Sequence, residues 1–110
     1  PVGHLVGAKP PASPAPAGSP ARYVGSYDNA YFGPATVAET NGSLVVKLGP
    51  DSRELPLKHW DGDSFVAYPM TENQPAGSVS LVEFLDVSGE EAANLRIEHL
   101  NGESLGVFRR

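Results

Sequence analysis

From Arg22 onward, turn-forming residues recur at intervals of roughly 8 to 12 residues, the spacing of a meander, sandwich or barrel of short strands. No window in that stretch carries a helical period, so the chain is confined to an all-β fold. Short runs rich in β-branched and aromatic residues fill the intervals. They predict strands over Tyr23 to Asp28, Ala35 to Thr40, Ser43 to Leu48, Glu54 to His59, Ser64 to Tyr68, Ser78 to Val87, Ala93 to Leu100 and Leu105 to Arg109. The expectation is a single antiparallel meander of about eight strands, forming a barrel or a sandwich.

One turn can be tested against its own flanks. A two-residue Asn41-Gly42 loop of type I′ pairs Thr40 with Ser43, and counting outward pairs Val37 with Val46 and Ala35 with Leu48. Leu44 joins the apolar side, while Thr36, Thr40, Ser43 and Lys47 share the other. One dry face and one wet face is what a half-buried antiparallel sheet requires. Asn101-Gly102 predicts a similar last hairpin, with Ser88 to Glu91 as the turn before it. The turn at Asp61-Gly62-Asp63 is harder to place. A two-residue loop there sets Leu55, Leu57, Val66 and Tyr68 on one face and Trp60, Phe65 and Ala67 on the other. Either that hairpin is covered on both sides, or its register differs.

The first twenty residues read differently. Pro1 to Pro20 hold six of the eleven prolines, a single charged residue (Lys9) and none of the aromatics. Proline fixes φ and lacks an N–H, so the stretch favours extended polyproline-like conformers over a packed element. The chain therefore divides into a Pro/Ala-rich linker over residues 1–20, disordered or extended, and a β domain over residues 21–110. A linker at this position points to a neighbour upstream of it.

Several classes of function are disfavoured. The net charge is −5 and the eight Lys and Arg are scattered, which gives no basic footprint for a nucleic acid. No apolar run approaches the roughly 20 residues that span a bilayer, so no membrane partner is expected, and the first residues lack the pattern of a signal peptide. Without cysteine there is neither a disulfide framework nor a thiolate nucleophile. His4, His59 and His99 are too dispersed for a recognisable metal spacing, and Asp61-Gly62-Asp63 lacks the further oxygen ligands of a calcium loop. No cofactor is expected. Asn41-Gly42-Ser43 fits a glycosylation acceptor but is already explained as a turn. Tyr27-Asp28-Asn29 matches the Tyr-x-Asn of penicillin-recognising hydrolases, but no Ser-x-x-Lys accompanies it.

The run Tyr23-Val24-Gly25-Ser26-Tyr27 is followed by Tyr31-Phe32-Gly33 leading to Val37, then by Leu44-Val45-Val46-Lys47-Leu48-Gly49. Leu55-Pro56-Leu57-Lys58-His59-Trp60-Asp61-Gly62-Asp63-Ser64-Phe65 completes the series. It resembles the small C-terminal domain of unknown function appended to serine hydrolases of the class C β-lactamase and penicillin-binding-protein type. The resemblance implies a lipocalin-like barrel or sandwich after a linker, with the catalytic residues in the upstream domain and none here. It implies that domain as partner and a periplasmic or other extracytoplasmic location. The chain by itself is then not an enzyme. Its expected contribution is contact, made through Tyr27, Tyr31, His59, Trp60 and Phe65 with the upstream domain or across a homodimer. A small ligand inside a closed barrel is the alternative use of the aromatic residues.

Overall fold

The Asn41-Gly42 turn is built as its sequence requires. Both residues have positive φ, 52° and 82°, and the strands they join pair Thr40 with Ser43, Val37 with Val46 and Ala35 with Leu48. In this computed structural model, which describes residues 1–110, that hairpin is the centre of the first of two antiparallel sheets. Its strands are β1 (Gly25–Tyr27), β2 (Ala35–Thr40), β3 (Ser43–Leu48) and β4 (Arg53–Pro56), in that order. The second sheet holds β5 (Lys58–Asp61), β6 (Ser64–Ala67), β7 (Ser80–Ser88), β8 (Glu91–Ile97) and β9 (Val107–Arg109), again in chain order. The fold is all-β, and of the two forms that the sequence left open it is the sandwich.

Three departures from the sequence reading have local causes. The run expected over Glu54 to His59 is one extended segment divided between the sheets. Leu57 N–H still donates to Leu44 O at 2.9 Å, and from Lys58 onward the chain pairs with β6 instead. The register at the Asp61-Gly62-Asp63 turn shifts by a bulge between His59 and Asp61, which sets His59 opposite Phe65 and brings Leu57, Phe65 and Ala67 into one core. Val66 lies on the other face and is nevertheless fully buried. The last hairpin keeps the register of an Asn101-Gly102 turn, pairing Leu95 with Phe108 and Arg96 with Val107. Its strands separate before reaching that turn, and residues 98–106 form a wide loop with a 3-10 turn at Glu98–Leu100.

The interior is filled by sixteen buried residues drawn from both sheets. Tyr23, Phe65 and Phe84 meet there at centroid separations of 4.6–5.7 Å, so ring edges and faces occupy the space that a ligand in a closed barrel would need. Each fully buried large apolar side chain contributes about 1.5–3 kcal/mol. At their outer edges the sheets meet in one residue pair, where Asp28 and Arg109 exchange hydrogen bonds of 2.6 and 2.8 Å.

One end of the sandwich is shut by the Tyr-x-Gly-x-Tyr segment. Tyr23 Oη donates to Asp63 Oδ1 (2.6 Å) and accepts from Gly18 N–H (2.7 Å), while Arg22 reaches the same carboxylate at 3.0 Å. Tyr27 Oη donates to Tyr23 O (2.7 Å) and accepts from Arg110 Nη2 (2.8 Å). The Arg110 guanidinium lies 4.7 Å from the centre of the Tyr27 ring and also donates to Arg22 O, Val24 O and Ala92 O. Gly25 is required between the two tyrosines. Its φ is +149°, and a Cβ there would stand 2.1 Å from Arg110 Nη1.

Residues 1–18 run along the outside of the second sheet. Val2 N–H donates to Ser78 Oγ (3.0 Å), and Val79 N–H donates to Val2 O (3.0 Å). His4 Nδ1 lies 2.6 Å from Glu98 Oε2, beside Leu81 and Arg96, which alternate outward from the core. At the far end Ala15 N–H donates to Asp61 Oδ1 (2.8 Å) and Gly62 N–H to Ala15 O (2.9 Å). The segment thus passes over the face that carries Val66.

Candidate functional site

The other end of the sandwich is open. Here the loop after β1, the loop between β3 and β4, the long loop 68–79 before β7 and the 3-10 turn after β8 surround a groove of about 550 Å³. Phe32, Leu48 and Leu100 form its base, partly buried and packed on the core. Leu55 of β4 and the side chains of Tyr68 and Met70 form its walls, with Asp51, Arg53 and Glu54 on the rim. An apolar floor with a few polar groups at the lip is the usual constitution of a binding site.

Asn29 sets the first loop. Its Oδ1 accepts from Tyr31 N–H (2.8 Å) and Phe32 N–H (2.7 Å), an Asx-type turn. Its Nδ2 donates to Leu105 O (2.7 Å) and Val107 O (2.9 Å), tying this loop to the one before β9. The result turns Phe32 inward, stacked 6.2 Å from Phe108, and leaves Tyr31 outside, edge-on to Phe32 at 4.8 Å.

His99 is the titratable group deepest in the groove. Burial pushes its pKa below the usual histidine value, with the nearby Glu98 carboxylate working weakly in the opposite sense. The ring is therefore neutral at pH 7. Its Nδ1 lies 2.7 Å from Ser80 Oγ, which also accepts from His99 N–H at 3.2 Å. A serine beside a histidine invites comparison with a nucleophile and its base. Ser80 Oγ is fully enclosed, however, so no substrate carbonyl reaches it in this conformation, and the pair holds the 3-10 turn against β7.

The five residues singled out from sequence do not converge. Tyr27 and Phe65 are core residues. His59 is half-buried, edge-on to Phe65, with Nε2 2.9 Å from Gly62 O, and lines a smaller cavity of about 370 Å³ at the shut end. Trp60 sits half-buried at the bulge in β5. Only Tyr31 stands beside the groove. Asp61 and Asp63, weighed as a cation site, hold Ala15 N–H, Tyr23 and Arg22 instead, and nowhere do three His, Asp or Glu side chains converge as a metal would need. The groove residues escaped sequence reading because they come from five separate loops and strand ends. The one local signal was Tyr68-Pro69-Met70, where two large apolar side chains follow a strand directly and flank a proline that ends it.

Similarity to known proteins extends over nearly the whole chain. The model of a family described as "Domain of unknown function (DUF3471)" matches residues 9–104. Among solved structures, the C-terminal domain of penicillin binding protein Rv0907 is similar at 40% identity and a TM-score of 0.83, over 98% of this chain and 100% of that one. None of the curated proteins matches at a significant level. No helix is long and apolar enough to cross a membrane.

Proposed function

The chain belongs to the DUF3471 family, and from that premise we propose that it is the accessory C-terminal domain of a penicillin-binding-protein or β-lactamase-like serine hydrolase, without a catalytic site of its own. The single observation that carries this reading is the 40% identity to the C-terminal domain of a penicillin binding protein over essentially the whole of both chains. The Pro-rich first residues fit an attachment to a domain upstream, and the same resemblance favours an extracytoplasmic location. Within such a protein this domain shapes access to the active site or fixes contacts between domains or subunits. The enclosure of Ser80 supports the non-catalytic part of the reading, since it is the one serine hydroxyl bonded to a histidine ring.

The test is enzymatic. The 110-residue chain is expected to turn over neither nitrocefin nor p-nitrophenyl esters, while the longer protein that contains it turns over at least one. Turnover by the short chain that a serine-directed inhibitor abolishes would sink the proposal.

A second reading, a small-ligand-binding module, has the groove as its specific support, because the interior is filled and the groove offers an apolar base of Phe32, Leu48 and Leu100 beside Leu55. Thermal-shift screening against small apolar compounds and peptidoglycan fragments separates the two. A compound that raises the melting temperature of the wild-type chain but not of a Leu55→Asp variant that still folds would favour the second.

A further inference from the structure

Met70 (76% exposed), Tyr31 (71%) and Tyr68 (55%) are the three most exposed large hydrophobic side chains of the chain, and all three stand at the groove end. Clustered exposure of this kind marks a surface that another body covers. The charged side chains Asp51, Arg53 and Glu54 lie around the apolar base, which reproduces the apolar centre and polar rim of a protein interface. The backbone adds a specific handle. Leu57 bonds to β3, so alternation turns Leu55 toward β3 as well and points the Glu54 amide and carbonyl at the open edge of the sheet. A short extended segment can pair there.

The path of the first residues selects the occupant. Pro1 packs beside Gly77, and Val2 is bonded to Ser78 and Val79. These residues end the same 68–79 loop whose beginning, Tyr68 to Thr71, walls the groove. The strap behind Pro1 is pinned at His4 and again at Ala15. Whatever is joined ahead of Pro1 is therefore delivered at the groove end on a short leash, where its effective concentration is high.

We propose that the groove end is the seat of the preceding domain of the same polypeptide. The occupant is an apolar loop or strand of that domain whose aliphatic or aromatic side chain enters between Leu55 and Tyr68. This inference rests on the reading above that such a domain precedes this one.

The experiment compares amide hydrogen exchange in the 110-residue chain and in the longer protein. Segments 30–33, 48–55 and 68–74 are expected to exchange at least ~10-fold more slowly in the longer protein, with β7 and β8 unchanged. Met70→Glu alters only an exposed side chain, so it should leave the melting of the short chain unchanged while removing that protection in the longer one. Tyr31→Ser, which also gives up the edge contact with Phe32, should do the same with at most a small drop in melting. A longer protein that turns over nitrocefin or an ester yet shows no added protection at the groove overturns the docking proposal and leaves the accessory reading standing. A longer protein without such turnover, whose upstream sequence also lacks Ser-x-x-Lys, overturns both. Protection already present in the short chain, with a dimer in sedimentation, assigns the groove to a second copy and likewise overturns the proposal.

Discussion

The two ends of the sandwich use aromatic residues in opposite ways. At the shut end Tyr23 and Tyr27 are buried, each hydroxyl both donates and accepts, and Arg110 caps them with bonds to three backbone carbonyls. At the groove end Tyr31 and Tyr68 are mostly in solvent, and close contact between side chains gives way to a cleft rimmed by loops. A buried hydroxyl without partners costs about 1–3 kcal/mol, so the shut end tolerates tyrosine only because its bonds are complete. The open end carries no such constraint, and apart from the edge of Tyr31 on Phe32 its exposed rings add little to the stability of the chain alone. The contrast separates a region that holds the sheets together from one that leaves its apolar surface in solvent.

Substitutions at the shut end should be the most damaging. Tyr27→Ala removes a fully buried ring together with its bonds to Tyr23 O and Arg110, and is expected to cost about 3–5 kcal/mol in urea denaturation. A loss below about 1 kcal/mol would erase the distinction between the ends. Gly25→Ala is next. The positive φ disfavours any Cβ and Arg110 Nη1 must move, so a loss of about 1–3 kcal/mol is expected. Because that guanidinium is the far end of a flexible side chain, an added Arg110→Ala should recover part of the steric loss while the backbone strain persists.

The ends should also fail at opposite extremes of pH. Burial raises the Tyr23 and Tyr27 phenols above their usual value of 10.0, so above pH 10 the unfolded chain releases protons that the folded chain keeps, and stability falls as pH rises. Tyr27→Phe, which has no proton to release, should flatten that decline. His99 is shifted the other way, below 6.5. As pH falls through 6.5 the unfolded chain binds a proton that the folded chain resists, so this contribution is intact above that pH and is lost below it. His99→Gln should narrow the gap between urea midpoints at pH 7.5 and pH 5.5; equal gaps in variant and wild type would remove His99 from the account. The smallest effect is expected at the groove rim. Met70→Ser in the 110-residue chain should shift stability by less than about 0.5 kcal/mol, and a larger loss would mean that the open end is part of the core after all.

Much of this architecture was legible wherever one turn fixes two strands. Asn41-Gly42 determined β2 and β3 to the residue, because a type I′ turn leaves no freedom in register. The reading weakened where tertiary contacts decide. Nothing local marks Leu57 as the point at which one extended run leaves the first sheet for the second, or Trp60 as the site of a bulge. The candidate surface was least legible of all. Tyr27 and Phe65 have the same aromatic character as Tyr31, and only burial tells them apart. His99 and Ser80 lie nineteen positions apart and meet through the pairing of β7 with β8. Tyr27-Asp28-Asn29, which mimics a hydrolase motif, has two structural duties instead, a seat for the capping Arg110 and a hub for two loops.

The strap along the second sheet has a mechanical consequence. Its first attachment, Val2 to Val79, lies at the groove end, and its last, Gly18 to Tyr23, at the shut end, so tension applied at Pro1 meets these bonds one after another. Peeling would release Val2, then His4, then Ala15, before load arrived at the Tyr23 ring and the sheets behind it. The strap is attached in series with the sandwich, so its contacts would part before the sheets do.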